Sequence, residues 1–179
     1  MKRRFLLLPA VLLVPYSLTA DAAGTVSGQL GIQIIIGAGC TVNNGSSNGS
    51  TNNFGSINFG SYPTLDSTID AQSVGVTAGS SFGINCAAAT NYSVALNSGL
   101  NVGAGNQRRM INGANFVNYN LYSDSARSTP WGNGSNGGNA VAGVGTGSNQ
   151  EMVVYGRVPN QTTPALGTYT DTVQVTITW

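Results

Sequence analysis

Histidine is absent from this chain of 179 residues, and charged residues make up only 7% of it. Without histidine, the Ser/His and Cys/His pairs that activate a nucleophile are excluded, and so is the commonest metal ligand. Two of the few acids lie close together, Asp66 and Asp70. They could form half of a carboxylate pair or a calcium site, but we interpret them as solvated loop residues. We therefore expect no enzyme activity and no cofactor.

Lysine is nearly absent as well, since Lys2 is its single occurrence. Beyond residue 22 the positive charges are Arg108, Arg109, Arg127 and Arg157, and the acids are Asp66, Asp70, Asp124, Glu151 and Asp171. The two signs nearly cancel. This excludes a basic surface for nucleic acid or anionic lipid, so we expect no nucleic-acid partner.

The first residues have the pattern of an export signal. Lys2, Arg3 and Arg4 precede an apolar stretch over residues 5–18, and the small residues of Ala20-Asp21-Ala22 follow. A membrane anchor is the alternative, but the apolar run is about 14 residues, whereas spanning a bilayer takes roughly 20. The pattern predicts a secretory signal over residues 1–22, followed by a domain in an oxidising compartment.

Helix signals are missing, because no long stretch has apolar residues at spacings of three and four. Thr, Val, Tyr, Asn, Ser and Gly are typical of strands and turns. The sequence therefore predicts an all-β fold with about eight short strands, which favours a β-sandwich. The predicted strands are 54–63, 74–77, 81–86, 92–96, 108–111, 116–122, 152–158 and 168–179. Residues 40–42 begin the domain, 65–70 are a connection, and 123–149 are an irregular segment.

The chain has two cysteines, Cys40 and Cys86, both beyond the predicted signal. Two buried free thiols are the alternative, but export favours a disulfide. The bond would close a loop of about 47 residues, for which the chain-entropy model gives roughly 4 kcal/mol.

A strand pattern without a partner precedes the first cysteine. Its apolar face consists of Val26, Leu30, Ile32 and Ile34, with Gly28 between them. Ser27, Gln29 and Gln33 point the other way, which is the alternation of a half-buried strand. No short turn joins this segment to another strand. We hypothesise that its sheet lies in another copy of the protein.

The clearest strand pattern is at the other end of the chain. Tyr169, Asp171, Val173, Val175, Ile177 and Trp179 alternate with polar residues up to the final position. The sequence also predicts a hairpin around Asn112-Gly113, a frequent signal for a tight primed turn. Tyr122 and Trp131 could stack on a sugar or pack beneath the loop at 123–149, and the sequence leaves both alternatives open.

Taken together, segments along nearly the whole chain resemble the spore coat protein U domain family, and more narrowly the major rod subunit of Csu-type archaic chaperone–usher pili. The segments are Gly28-Gln29-Leu30, Cys40-Thr41-Val42, Ile57-Asn58-Phe59-Gly60-Ser61-Tyr62, Asn85-Cys86, Arg108-Arg109-Met110, Val117-Asn118-Tyr119-Asn120-Leu121-Tyr122, Trp131-Gly132, Val154-Tyr155-Gly156-Arg157-Val158-Pro159 and Gly167-Thr168-Tyr169-Thr170-Asp171-Thr172-Val173.

The resemblance implies an incomplete immunoglobulin-like sandwich at residues 38–179 that is completed by donor-strand exchange. Residues 23–37 would be the donor strand. Tyr169, Val173, Val175, Ile177 and Trp179 would form the edge of the acceptor groove. The implied partners are further copies in a head-to-tail homopolymer, a periplasmic chaperone, an outer-membrane usher, and tip or minor pilins. The protein would pass through the periplasm to a pilus on the cell surface and support attachment and biofilm formation.

Two rival functions differ from this one in class. A secreted carbohydrate-binding or adhesin module would use exposed aromatic residues, and as a tip subunit it would carry a second domain and no donor strand. A stand-alone coat protein of the spore coat type would be complete without a chaperone. The pattern at residues 25–36 favours the pilus subunit over both.

Overall fold

The computed structural model describes residues 27–43, 46–47, 52–76 and 81–179. The chain divides into two compact units, Met1–Ile34 and Ile35–Trp179. The predicted signal segment at residues 1–22 and Val26 of the predicted donor strand lie outside the described residues. No helix in the described part is long and apolar enough to cross a membrane.

The described residues of the first unit, 27–34, form no strand. The side chains on their apolar face are almost fully exposed, with Leu30 at 85%, Ile32 at 89% and Ile34 at 84%. Large aliphatic side chains are usually buried in folded proteins. This segment therefore displays an unpaired apolar face.

The described part of the second unit has fourteen strands and one short 3₁₀ turn, Ala104–Asn106, which confirms the predicted all-β class. The strands are Cys40–Asn43 (β1), Ser46–Ser47 (β2), Asn52–Asn53 (β3), Ser56–Ile57 (β4), Ile69–Val74 (β5), Phe82–Cys86 (β6), Asn91–Leu96 (β7), Arg109–Asn112 (β8), Asn115–Asn118 (β9), Asn120–Tyr122 (β10), Val141–Val144 (β11), Asn149–Met152 (β12), Tyr155–Val158 (β13) and Val175–Thr178 (β14).

These strands form antiparallel sheets that share one core. The three larger sheets have the orders β1-β6-β12, β10-β13-β5-β4 and β11-β7-β14, and β2-β3 and β8-β9 form two-stranded sheets. Side chains from all three larger sheets meet in the core. In β7, Tyr92, Val94 and Leu96 are buried while the residues between them are not. This period of two is what the sequence pattern predicts for a strand with one face in the core.

The predicted hairpin is present, with its turn shifted by one residue. Asn112 pairs with Asn115, so Gly113 and Ala114 form the two-residue loop. Gly113 has φ of +58°, and Ala114 is not among the residues with positive φ. A positive φ at the first loop position alone is the type II′ arrangement, which favours glycine there.

Three strand predictions are wrong in place or extent. Residues 65–70 were expected to connect strands and 74–77 to form one, but the strand is Ile69–Val74, and residues 75 and 76 are not part of a strand. Thr77 lies outside the described residues. The pairing of Ile69–Val74 with β13 through Asp70 and Arg157 overrides the turn-like composition. Within the predicted strand 54–63, the observed strand is limited to Ser56–Ile57. The segment 123–149, expected to be irregular, contains Val141–Val144, which pairs with β7.

The predicted disulfide between Cys40 and Cys86 is confirmed. The two cysteines lie directly opposite each other in the pairing of β1 with β6. Cys86 is fully buried, so the bond fixes β1 to a strand in the middle of its sheet.

Candidate functional site

Two edge strands of the second unit border a groove. In the described part of the chain, β1 pairs with β6 alone and β14 pairs with β7 alone. Each therefore has one side whose backbone N–H and C=O groups have no neighbouring strand. Residues of both strands line the same cavity, which has a volume of about 1340 Å³ and which we call the β1–β14 groove.

The lining of the β1–β14 groove is largely apolar. Buried core residues, including Phe82, Leu96 and Leu121, form part of its surface. Half-buried side chains of the bordering strands, such as Val42 of β1, complete the lining. An apolar surface between two unpaired strand edges suits an extended chain, which would bond to both edges and place alternate side chains against the core.

The structure places four of the five predicted groove-edge residues in this lining: Val173, Val175, Ile177 and Trp179. The first three are half-buried, and the polar residues that alternate with them are exposed, as the pattern predicts. The regular strand there, β14, is shorter than the predicted 168–179. Tyr169 does not line the groove. It packs against the core, and its hydroxyl donates a hydrogen bond to the Ala165 carbonyl at 2.5 Å.

A carboxylate lies in the groove lining just before β14. Asp171 Oδ1 accepts hydrogen bonds from the backbone N–H groups of Leu100 and Asn101 and from the Asn101 side chain. Its Oδ2 accepts one from the hydroxyl of Tyr119 at 2.6 Å. Burial, together with this bond to Asp171, raises the pKa of Tyr119 well above its usual range. Asp171 thus fixes the start of the C-terminal groove wall.

Sequence reasoning missed part of this site. Phe54, Phe82 and Leu121 reach the groove from separate parts of the chain, and no local pattern shows that they converge. Asp171 was noted only as one position in an alternating strand. A carboxylate in the otherwise apolar face of that strand was the signal available for finding it.

Arg108 is buried, although arginine is usually an exposed residue. It is 6% exposed, and its side chain donates to two backbone carbonyls at the end of β7. The bonds run from Nε to Asn97 O at 2.9 Å and from Nη2 to Leu96 O at 3.0 Å. Burial lowers the pKa of Arg108 from its usual value, because desolvation opposes the charged form.

The acids considered for chemistry have structural partners. Arg157 donates two hydrogen bonds to the Asp70 carboxylate, at 2.7 and 2.8 Å, and Arg127 lies 3.3 Å from it. The hydrogen bond from Arg157 lowers the pKa of Asp70. Asp66 accepts a hydrogen bond from Thr64. Within the described residues, no group of His, Cys, Asp and Glu is arranged to hold a metal ion.

Trp131 packs in the core, which is the second of the alternatives that the sequence left open. It is 2% exposed, and its Nε1 donates to the Val94 carbonyl at 2.8 Å. Its ring is therefore not available to stack on a sugar. Tyr122 is half-buried and lines a smaller cleft together with Trp131.

The chain is similar to known proteins along most of its length. The Spore Coat Protein U domain family matches residues 26–176. Protein U of Myxococcus xanthus is 32% identical over 95% of this chain and 93% of its own length.

Among solved structures, the chain is similar to a chain of the CsuC–CsuE chaperone–tip adhesion subunit pre-assembly complex from archaic chaperone–usher Csu pili of Acinetobacter baumannii. The TM-score is 0.52 with 25% sequence identity over 79% of this chain. The likeness spans 40% of the length of that solved chain.

Proposed function

We propose, because the chain belongs to the spore coat protein U domain family, that it is a structural, non-enzymatic pilus subunit exported by an archaic chaperone–usher pathway. The observation that carries the proposal is the β1–β14 groove, an apolar cavity between two edge strands. The same chain has an exposed segment with alternating apolar side chains, the kind of ligand that such a groove binds. The likeness to a chain of the Csu complex supports the same assignment.

In this proposal the chain has three parts: a signal peptide at residues 1–22, a donor strand at 23–37 and a pilin domain at 38–179. The donor strand of one subunit enters the β1–β14 groove of the next. Main-chain hydrogen bonds to β1 and β14 supply affinity, and Leu30, Ile32 and Ile34 fill the groove. Because each contact is head-to-tail and does not close on itself, repeated addition gives a filament. The chain is then the major rod subunit.

The open groove also explains the proposed partners. An apolar cavity bordered by unpaired strand edges promotes aggregation when it is exposed. A periplasmic chaperone would cover the groove before assembly, and an outer-membrane usher would exchange it for the donor strand of another subunit. Tip or minor pilins would complete the fibre, which supports surface attachment and biofilm formation.

Electron microscopy of cells that express this chain with its chaperone and usher tests the proposal. We expect thin surface fibres that contain the chain and that disappear when the usher is deleted. A version lacking residues 25–36 should stay bound to the chaperone or aggregate, and a peptide of those residues should restore a soluble monomer. A truncated chain that is soluble, monomeric and cooperatively folded without the peptide contradicts donor-strand completion.

A stand-alone coat protein is the second candidate, favoured by the similarity to Protein U over nearly the whole of both chains. Such a protein would not need an usher to leave the cell or a second copy to complete its fold. The truncation experiment separates the two, because only the pilus subunit depends on residues 25–36 from a neighbour.

A further inference from the structure

Arg108 carries a buried charge, and no acid among the described residues forms a direct ion pair with it. It is 6% exposed, and the hydrogen bonds described for it go to the neutral carbonyls of Leu96 and Asn97. In the described part of the chain, the direct ion pairs join Arg127 and Arg157 to Asp70. Asp171 interacts with Arg108 electrostatically, without a hydrogen bond between the two side chains. A buried cation is usually paired, so Arg108 needs a further explanation.

One nitrogen of the guanidinium is not engaged by the part of the chain that the structure describes. Nη1 of Arg108 has no hydrogen-bond partner among the described residues. The fully buried side-chain atoms without a partner in that part of the chain are Arg109 Nε and Gln150 Oε1, so Nη1 does not belong to them. Arg108 lines a second cavity of about 350 Å³ and does not line the β1–β14 groove. We call this second cavity the polar cleft; its lining residues are 105–108, 120–122, 130–131 and 136–138.

A shared acceptor places the guanidinium beside the polar cleft. Asn136 lines the cleft, and its Nδ2 donates to the carbonyl oxygen of Leu96 at 3.0 Å. Nη2 of Arg108 donates to the same oxygen, also at 3.0 Å. The Nε–Nη2 edge of Arg108 is thus engaged by the protein. The remaining donors lie on the Nη1–Nη2 edge, which can bind a carboxylate with two parallel hydrogen bonds.

The rest of the lining suits a polar ligand with hydroxyl groups. Asn106, Gln107, Asn120 and Asn136 line the cleft with amides, and Tyr122 adds a hydroxyl. Gln107 Nε2, Asn106 Nδ2 and both ends of the Asn136 amide already bond within the protein. A ligand would therefore bond mainly to Asn106 Oδ1, Gln107 Oε1, Asn120 Nδ2 and the Tyr122 hydroxyl. No carboxylate side chain is part of the described lining, so nothing in it competes for Arg108. The volume lies at the lower end of the range of about 300–1,000 Å³ for small-molecule sites, which fits one sugar ring.

We propose that the polar cleft binds an acidic sugar, a hexuronic acid residue, whose carboxylate pairs with the Nη1–Nη2 edge of Arg108. The amide side chains of the lining hold the ring hydroxyls. The described lining contains one cationic side chain, Arg108, and no acidic one, which suits a ligand with a single carboxylate. The site lies outside the β1–β14 groove and does not depend on polymerisation.

Calorimetric titration of the mature chain, purified with its chaperone, tests the assignment with glucuronate, glucose and acetate, and the chaperone alone is titrated as the blank. We expect glucuronate to bind, and glucose and acetate to bind about tenfold or more weakly. Glucose lacks the carboxylate that pairs with Arg108, and acetate lacks the ring hydroxyls that bond to the amides. Equal affinity for glucose overturns the role of Arg108. Equal affinity for acetate overturns the sugar, and no binding of glucuronate overturns the site.

Two variants test whether glucuronate binds in the polar cleft. Asn120→Asp keeps the test valid if Arg108→Gln fails to fold. Arg108→Gln should abolish glucuronate binding. Asn120→Asp keeps an acceptor for the Gln107 side chain, which bonds to Asn120 Oδ1 at 3.3 Å, but introduces a negative charge into the lining that should repel the carboxylate of the ligand. Asn115→Asp is the matched control, because Asn115 is exposed and lies outside the lining. Unchanged affinity in Asn120→Asp overturns the proposal.

Discussion

The hydroxyl of Tyr119 donates a hydrogen bond to Asp171 at 2.6 Å and so joins the chain after the β8–β9 hairpin to the wall of the β1–β14 groove. The carboxylate also accepts hydrogen bonds from Leu100 and Asn101. Four donors on one carboxylate hold the strand in place before Val173 enters the groove lining. The C-terminal wall of the groove is therefore held by the hydrogen bonds of Asp171 in addition to the pairing of β14 with β7.

Asp171→Ala should destabilise the domain by about 3 kcal/mol or more, since it removes charge-assisted bonds and leaves the buried Tyr119 hydroxyl unpaired. Tyr119→Phe, which removes one bond, should cost about 1 kcal/mol. Urea denaturation of the domain bound to a donor peptide measures both changes. Thr170→Ala, at an exposed neighbouring position outside the groove lining, is the control. Equal stability of Asp171→Ala and the unmodified chain would contradict the anchoring role.

The disulfide should matter for the groove because Cys40 lies in β1, an edge strand held by β6 alone in the described part of the chain. Cys86→Ser should lower stability by roughly 4 kcal/mol and sharply reduce periplasmic accumulation. Peptide maps under reducing and nonreducing conditions should differ by one linked peptide. The double variant Cys40→Ser/Cys86→Ser should be no less stable than either single variant; additive losses would show that the bond is not their common cause.

The strands that the sequence predicted correctly are those with a strong local pattern. Phe82, Ile84 and Cys86 alternate within β6, and glycine punctuates the β8–β9 hairpin, so neighbouring residues contain enough information. Ile69–Val74 was missed because its composition resembles a connection. It is a strand because β13 pairs with it across a long separation in sequence, which a local pattern cannot show.

The candidate site was predictable on one wall only. Val173, Val175 and Ile177 showed their alternation in the sequence, and the structure brings them into the groove lining. The opposite wall, formed by β1, and the core residues at the base of the groove could not be predicted in the same way. Their positions follow from the order of strands in the sheets, which a local pattern does not show. The burial of Arg108 was also beyond prediction, since arginine is mostly exposed and its two carbonyl partners lie at the end of another strand.

Acid should weaken the pair of Asp70 and Arg157. The hydrogen bond from Arg157 lowers the pKa of Asp70 below its unfolded value of about 3.9, so the pair stabilises the fold fully above that pH, and the contribution is lost as pH falls through the folded pKa. Solvent screens the half-exposed pair, so we expect its contribution to stability to be small.

Urea denaturation of Asp70→Asn and of the unmodified chain at several pH values tests this pair. The two should differ most near neutral pH, and the difference should shrink below about pH 4. Arg157→Gln should reproduce the same trend, because it removes the partner that lowers the pKa of Asp70. A difference that stays constant with pH would show that the pair does not contribute through its charge.

The final prediction concerns the exposed segment as the polymerising element. In the proposed fibre, Leu30, Ile32 and Ile34 leave water for the groove of the next subunit. Burial of one such side chain is worth about 1.5–3 kcal/mol, so the three contribute roughly 5–9 kcal/mol. Ile32→Asp removes the central one and forces a carboxylate into an apolar site, which costs several kcal/mol more unless it protonates. Fibre assembly should fail, as electron microscopy of the cells would show.

The matched control is Gln33→Asp, which adds the same charge on the opposite face of the segment and should still assemble. Because residues 27–34 belong to no strand of the subunit itself, Ile32→Asp should leave the yield of the chaperone complex and the Cys40–Cys86 disulfide unchanged. This separates a defect in polymerisation from a defect in folding. Normal fibres from Ile32→Asp, or a loss of chaperone binding in that variant, would contradict the assignment of this segment as the donor strand.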